Sequence, residues 1–132
     1  VQPYLFFDGR CGEALEFYQK AIGAEVGMLM RFKDSPDQSM ATPQNADKVM
    51  HAQFQIGDTT VMASDGRNTG APNFQGFALS IIAPTEAEAD KTFAALGEGG
   101  QVTMPLGKTF FSPRFGMLAD RFGVNWMVLV AR

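Results

Sequence analysis

Between Val49 and Ile56 the chain alternates, with His51, Gln53 and Gln55 on one side and Met50, Ala52, Phe54 and Ile56 on the other. That period of two predicts a half-buried strand. Gly57-Asp58 then turns the chain into another strand, Thr59 to Ser64, which makes the pair a hairpin. Upstream, Gln2 to Phe7 is apolar and aromatic and predicts a first strand, followed by a turn at Asp8-Gly9-Arg10. From Glu13 to Ile22 the spacing changes. Ala14, Leu15, Tyr18, Ala21 and Ile22 share one face and Glu13, Glu16, Gln19 and Lys20 the other, which predicts an amphipathic helix stopped by Gly23. A strand follows near Glu25 to Phe32. Asp34 to Asp47 is polar, holds Pro36 and Pro43, and predicts a long surface loop, either a functional lid or a mobile connection.

A linker rich in Gly, Asn and Pro is expected over about 66–75, and the same order of elements then recurs. Phe77 to Ile82 predicts a strand. Pro84-Thr85 leads into a helix, with Thr85 and Glu88 at capping-box spacing, Ala89, Phe93 and Leu96 as its apolar stripe, and Gly97 at its end. Gln101 to Pro105 and Phe110 to Leu118 are strand-like, Asp120 to Gly123 is a turn, and Val124 to Val130 predicts a strongly apolar last strand. Each half therefore reads strand–helix–strand–strand–strand, one module over about 1–65 and the other over about 76–132 of a single domain. Neither half can bury both faces of its sheet by itself. The expected fold class is α+β: two βαβββ modules packed as a mixed, partly closed sheet around a cleft, with the helices outside.

Composition narrows the partners. At 132 residues, 45% hydrophobic and 19% charged, the chain matches an ordinary globular domain. It has no run of about 18 apolar residues, so no membrane span is predicted. Val1 is not an initiator methionine, which leaves a short leader ahead of it open, and no signal-peptide pattern lies within these residues. A net charge of −3 with eleven scattered basic residues argues against a nucleic-acid partner. The one cysteine, Cys11, excludes an internal disulfide and fits a reducing, cytoplasmic setting. Beside a glycine at the predicted helix start, its thiol is either activated by a lowered pKa or incidental.

Several segments together resemble a known family. Pro3–Gly9, Glu13–Tyr18, Ile22–Glu25, Ile56–Asp58, Val61–Asp65 and Asp120–Met127 look like the PhnB-like branch of the vicinal oxygen chelate superfamily, in the same order and over nearly the whole chain. That superfamily includes glyoxalase I, extradiol dioxygenases and bleomycin- and fosfomycin-resistance proteins. The resemblance implies paired modules and a homodimer. In the metal enzymes of the superfamily, the first and last strand of each half supply His or Glu to one divalent ion. The matching positions here are Gln2 or Pro3, about Ala63, Phe77 and about Met127. None can serve as such a ligand, and Thr59–Ser64 and Val124–Val130 contain no His, Asp or Glu at all. A stable divalent site takes about three such ligands, so neither metal nor other cofactor is expected.

What remains is a set of candidate side chains. His51 is the only histidine and is the candidate catalytic residue, as a general base, or else a hydrogen-bond donor to a ligand or an ordinary strand residue. Asp65 either orients His51 or caps the turn after the hairpin. Phe110, Phe111 and Arg114 place aromatics beside a guanidinium, which suits a planar or anionic ligand, or else are core and surface. Tyr4, Phe6, Gln53, Phe77 and Trp126 complete the candidate ligand-binding residues, although Trp126, Met127, Met62 and Met117 fit a core better than a pocket. Eight methionines and twelve phenylalanines favour an adaptable apolar cavity. Gly97-Glu98-Gly99-Gly100 follows a helix rather than a strand, so it is a helix stop and not a nucleotide loop. That speaks against the ubiquinone-methyltransferase description that PhnB-like sequences sometimes carry. Two functions are left: a metal-free protein binding a small aromatic or anionic molecule, and an enzyme using His51 for acid–base chemistry.

Overall fold

The helix that opens at Cys11 has no side-chain cap of its own, since Arg10 precedes it without bonding any of its free amides. In the computed structural model, which describes residues 1–66 and 72–131 (with Met40 by its backbone only), this helix is α1, Cys11–Ile22. Cys11, Ala14, Leu15 and Tyr18 recur at helical spacing and are buried, and Gly23 ends the helix in the left-handed region at φ 68°. The chain divides into two compact units, Val1–Pro72 and Asn73–Arg132. Of the linker expected at 66–75, residues 67–71 lie outside the described residues.

The first unit runs β1 (Tyr4–Phe6), α1, β2 (Glu25–Arg31), β3 (Val49–Ile56) and β4 (Thr59–Ser64), with sheet order β1-β4-β3-β2. β1 lies parallel to β4 and the other pairs are antiparallel. Gly57, at φ 60°, takes the first turn position of the β3–β4 hairpin, where a side chain would be strained. The stretch expected to be an irregular loop holds two short 3₁₀ turns, Phe32–Asp34 and Gln38–Met40. The second is capped by Asp37, whose side chain accepts from the Ser39 N–H.

One face of this sheet carries Leu5, Ala52, Phe54, Val61 and Ala63, all at 2% exposure or less. α1 packs there, with the Tyr18 ring stacked on Phe54 at 5.9 Å and tilted on Phe7 at 6.4 Å. Burying Leu15 and Phe54 stabilises the unit by roughly 1.5–3 kcal/mol per side chain.

The second unit repeats the order: β5 (Leu79–Ala83), α2 (Glu86–Gly97), β6 (Gln101–Gly107), β7 (Phe115–Ala119) and β8 (Asn125–Val130), arranged β5-β8-β7-β6. Thr85 caps α2, its Oγ1 accepting from the Glu88 N–H at 3.1 Å, and Ala89, Phe93 and Leu96 are the buried stripe. β5 begins two residues later than the sequence pattern placed it. Phe110 to Arg114 is a braced loop rather than strand, because Thr109 and Ser112 turn the backbone on itself. Pro105 lies on β6, an edge strand where its missing N–H breaks no interior ladder. The α+β class and both βαβββ modules are as expected, each with its own open four-stranded mixed sheet. Among the described residues no helix is long and apolar enough to cross a membrane.

Two glycines of the second unit make a paired test. A Cβ at Gly100 would sit 2.8 Å from the backbone Cα of Asp120, whereas one at Gly107 would meet nothing within 4 Å. Gly100→Ala is expected to cost about 1–3 kcal/mol in urea denaturation, because backbone must move. Gly107→Ala should stay within about 0.5 kcal/mol of the parent. Equal midpoints for the two variants would contradict the packing at the α2–β6 turn.

Candidate functional site

The face of the first sheet turned away from α1 follows from its register. Tyr4, Met62, Gln53 and Met28 stand side by side across β1, β4, β3 and β2, and Met30 is opposite His51 in the adjacent row. One further step along the β3–β4 ladder sets Ser64 beside His51, next to Phe6. Of the residues singled out from the sequence, Tyr4, Phe6, His51 and Gln53 therefore share one face. Sequence reasoning did not assign Met28, Met30 or Ser64 to it, and it left Met62 open between core and pocket. The signal that finds them is alternation carried across strands rather than along one strand.

His51 is half-buried, and its Nδ1 lies 2.8 Å from the Tyr4 hydroxyl. The Tyr4 ring stacks on Phe6 at 4.9 Å and tilts against the imidazole at 5.5 Å. Burial pushes the Tyr4 phenol above its ordinary value of 10.0, partly offset by the Ser64 hydroxyl, so it remains a neutral O–H at physiological pH. No described residue hydrogen-bonds His51 Nε2. Tyr4 and Phe6 are 37% and 52% exposed, so this face is aromatic and open to solvent within the described residues.

Asp65 does not join His51. It is 3% exposed, and its Oδ1 accepts from the Gly9 and Cys11 N–H groups at 2.7 and 2.8 Å while Oδ2 accepts from the Val49 N–H at 2.8 Å. The orienting role considered for it is replaced by a structural one. With both oxygens engaged by backbone N–H groups inside the fold, its carboxylate also stands apart from the other candidate ligand-binding residues of the first unit.

Of the two alternatives for Cys11, the activated thiol finds no support. Burial, and then the neighbouring Asp65 carboxylate, push its thiol up from 9.0 to about 12, only partly countered by Arg31. A helix start lowers a thiol pKa when the thiol is exposed to the amide dipoles. Here the side chain is fully buried and the nearest charge is negative.

The other candidates belong to the second unit. Trp126 is 1% exposed on the face that holds α2, and its Nε1–H donates to Asp120 Oδ2 at 2.9 Å, so it is core. Arg114 gives its Nε–H to Asp90 of α2 at 2.7 Å, which commits the guanidinium to the helix side of the sheet. Phe77 precedes β5 and packs edge-on against Phe74 at 6.5 Å. Phe110 is 90% exposed at the tip of the braced loop, and Phe111 meets both Phe110 and Phe115 edge-on at 5.2 and 5.0 Å.

The positions matched to metal ligands shift by one. Ala63 faces α1, so the neighbours on the open face are Met62 and Ser64. In the second unit Met127 does lie away from α2, beside Ser80 and Met117. Among the described residues no three His, Cys, Asp or Glu side chains cluster as a metal site would require. A groove of about 510 Å³ lies on the opposite side of the first sheet, between Glu13, Glu16 and Gln19 of α1 and Val26, Leu29 and Arg31 of β2. Its guanidinium is already engaged with the Asp47 carbonyl at 2.7 Å, and it contains none of the candidate residues.

This architecture is shared widely. The structure of PA1353 from Pseudomonas aeruginosa is 40% identical, with a TM-score of 0.89 over 99% of this chain and 96% of that one. A Bacillus cereus structure described as a putative 3-demethylubiquinone-9 3-methyltransferase, PhnB protein, is 28% identical, with a TM-score of 0.81 over 99% and 98%. A glyoxylase/bleomycin resistance protein/dioxygenase domain from Frankia sp. EAN1pec, 14% identical with a TM-score of 0.68 over 100% and 91%, shares the fold. These relatives define the class as a PhnB-like protein of the vicinal oxygen chelate superfamily. The family model described as 3-demethylubiquinone-9 3-methyltransferase matches residues 1–129, and the chain belongs to that family. Protein YjdN of Escherichia coli (strain K12) is 30% identical over 140 aligned positions, covering 100% of this chain and 95% of YjdN.

Two outcomes follow from this geometry. Asp65→Ala leaves the two buried amides of Cys11 and Val49 without an acceptor, each worth about 1–3 kcal/mol, so urea denaturation should show a loss of at least about 2 kcal/mol. A loss below about 1 kcal/mol would remove Asp65 from its structural role. For Cys11, a thiol near 12 instead of 9.0 makes thiolate about a thousandfold scarcer at pH 8. Ellman's reagent should therefore react with native protein far more slowly than with protein in urea. The unfolded chain loses this proton first, so the thiol's contribution to stability falls as pH rises from about 9 towards 12. Rapid native labelling would contradict the burial of Cys11.

Proposed function

We propose that the protein binds a small aromatic molecule bearing a carbonyl or carboxylate on the open face of its first sheet, without the divalent ion its superfamily commonly uses. The observation that carries this reading is the Tyr4–His51 hydrogen bond, made while Asp65 is occupied elsewhere. A neutral phenol donating to Nδ1 leaves the imidazole proton on Nε2, where it can be given to a ligand oxygen. Phe6 and Tyr4 offer ring faces beside that donor, and Met62 and Met28 offer adaptable apolar walls. We retain the homodimer as the assembly in which this face works.

The enzyme reading keeps one observation in its favour, the unpartnered Nε2. A general base, however, gains from a carboxylate behind it that stabilises the imidazolium. A neutral phenol supplies no such countercharge, which favours recognition over proton abstraction. The methyltransferase in the family's description is supported no better. The glycines at 97–100 close α2 and lead into β6, the reverse of a strand–glycine loop–helix cradle.

The test is a thermal-shift screen of small aromatic carboxylates and carbonyl compounds, in chelator-treated buffer. A ligand at 100 times its Kd should add roughly 2.7 kcal/mol of stability. His51→Ala and Tyr4→Phe should each abolish the shift while leaving the unliganded Tm close to the parent's. A screen with no shift, or unchanged ligand binding in His51→Ala, would overturn the proposal.

A further inference from the structure

Three methionines share the open face of the first sheet with its one imidazole. Met30 stands directly opposite His51 across β2 and β3, and Met28 is the next residue of β2 on the same face. Met62 pairs with Gln53, which places it diagonal to His51 on the β4 side. Side chains directly opposite have Cβ atoms about 4.5–5.5 Å apart and diagonal ones about 7–8 Å, distances that unbranched methionines span. His51 itself is held through Nδ1 by Tyr4 at 2.8 Å, the arrangement that fixes the ring of a metal-bound histidine from behind. The donor set contains no carboxylate and no thiolate. Hard and borderline divalent ions gain little from thioethers, while soft monovalent ions prefer them.

We infer that this face binds a soft monovalent cation of the Cu(I) class, with His51 Nε2 and the sulfurs of Met30 and Met28 as its ligands, while Met62, on the other side of β3, lies too far from both to share the ion. The site uses the same face as the proposed ligand but does not depend on that ligand. Ion binding selects the tautomer in which Nδ1–H donates to the Tyr4 oxygen and Nε2 presents its lone pair. Cys11, the one thiol of the chain, is buried on the α1 side of the sheet and keeps its proton. It takes no part.

Ag(I), which is inert to oxidation and reduction under these conditions, is the first probe, followed by anaerobic Cu(I) in competition with bicinchoninate. Titration of protein labelled at its methionine methyl groups should move the Met28 and Met30 signals at one equivalent per chain, leaving those of Met104, Met117 and Met127 in place. Tyr4→Phe frees the ring from its orienting bond and should weaken Cu(I) binding by about 10- to 100-fold. Met30→Leu, close in size to the parent residue, and His51→Gln should weaken it at least as much. Binding that survives both of these variants, that disappears in Cys11→Ala, or that bicinchoninate removes completely from the parent would overturn the inference. The thermal-shift screen contains chelator and no metal, so the two proposals fail separately.

Discussion

The first unit depends on one buried carboxylate. Asp65 collects amides from the β1–α1 turn, from the first residue of α1 and from the first residue of β3, positions up to 56 residues away in sequence. Burying a carboxylate is costly unless its oxygens are fully bonded, and here each oxygen has at least one charge-assisted partner. The arrangement also supplies what α1 lacks locally. Arg10 offers the helix no cap, so a negative charge from the end of β4 meets the positive end of the helix instead. The same contact holds the turn in which Asp8 and Gly9 take positive φ values of 49° and 103°.

From that anchor the open face acquires its geometry. Tyr4 lies a few residues before the anchored turn, His51 two residues after Val49, and Ser64 one residue before Asp65. The hydrogen bond between Tyr4 and His51 therefore joins two strands whose ends are already tied to one carboxylate. Nothing comparable is needed at α2, where Thr85 caps the helix from the adjacent position. In the second unit the buried acid has another task. Asp120 accepts from the Phe122 and Val124 N–H groups and from the Trp126 indole, which closes the turn into β8 and fixes the largest core side chain. The two units share strand order but are not stapled in the same way.

Local features were legible in the sequence. The β3–β4 hairpin, the Thr85 cap, the buried stripe Ala89, Phe93 and Leu96, and the Gly23 stop each depend on residues within a few positions of one another. The β1 and β5 boundaries were less legible, because an apolar run does not mark where pairing begins. Phe110 to Arg114 read as strand because of its aromatics, but the hydroxyls of Thr109 and Ser112 bend it into a loop. The candidate site was legible only by face. His51 and Gln53 were on one side of β3 by alternation, whereas the bond to Tyr4 spans 47 residues and requires the strand order β1-β4-β3. The alternatives at Asp65 and Cys11 stayed open in the sequence for one reason. Both sit at apparent turns or helix ends that are exposed in an isolated segment, and tertiary packing buries them.

The chemistry of the open face follows from the side chains that the strand register sets together. On β1 and β4 these are Tyr4, Phe6, Met62 and Ser64, none of which carries a formal charge. Beside them an imidazole is bonded to a phenol, with methionines of β2 on its other side. Such a surface suits discrimination by softness and shape rather than by charge. The two proposals, recognition of a flat, weakly polar ligand and capture of a soft ion, both draw on that property.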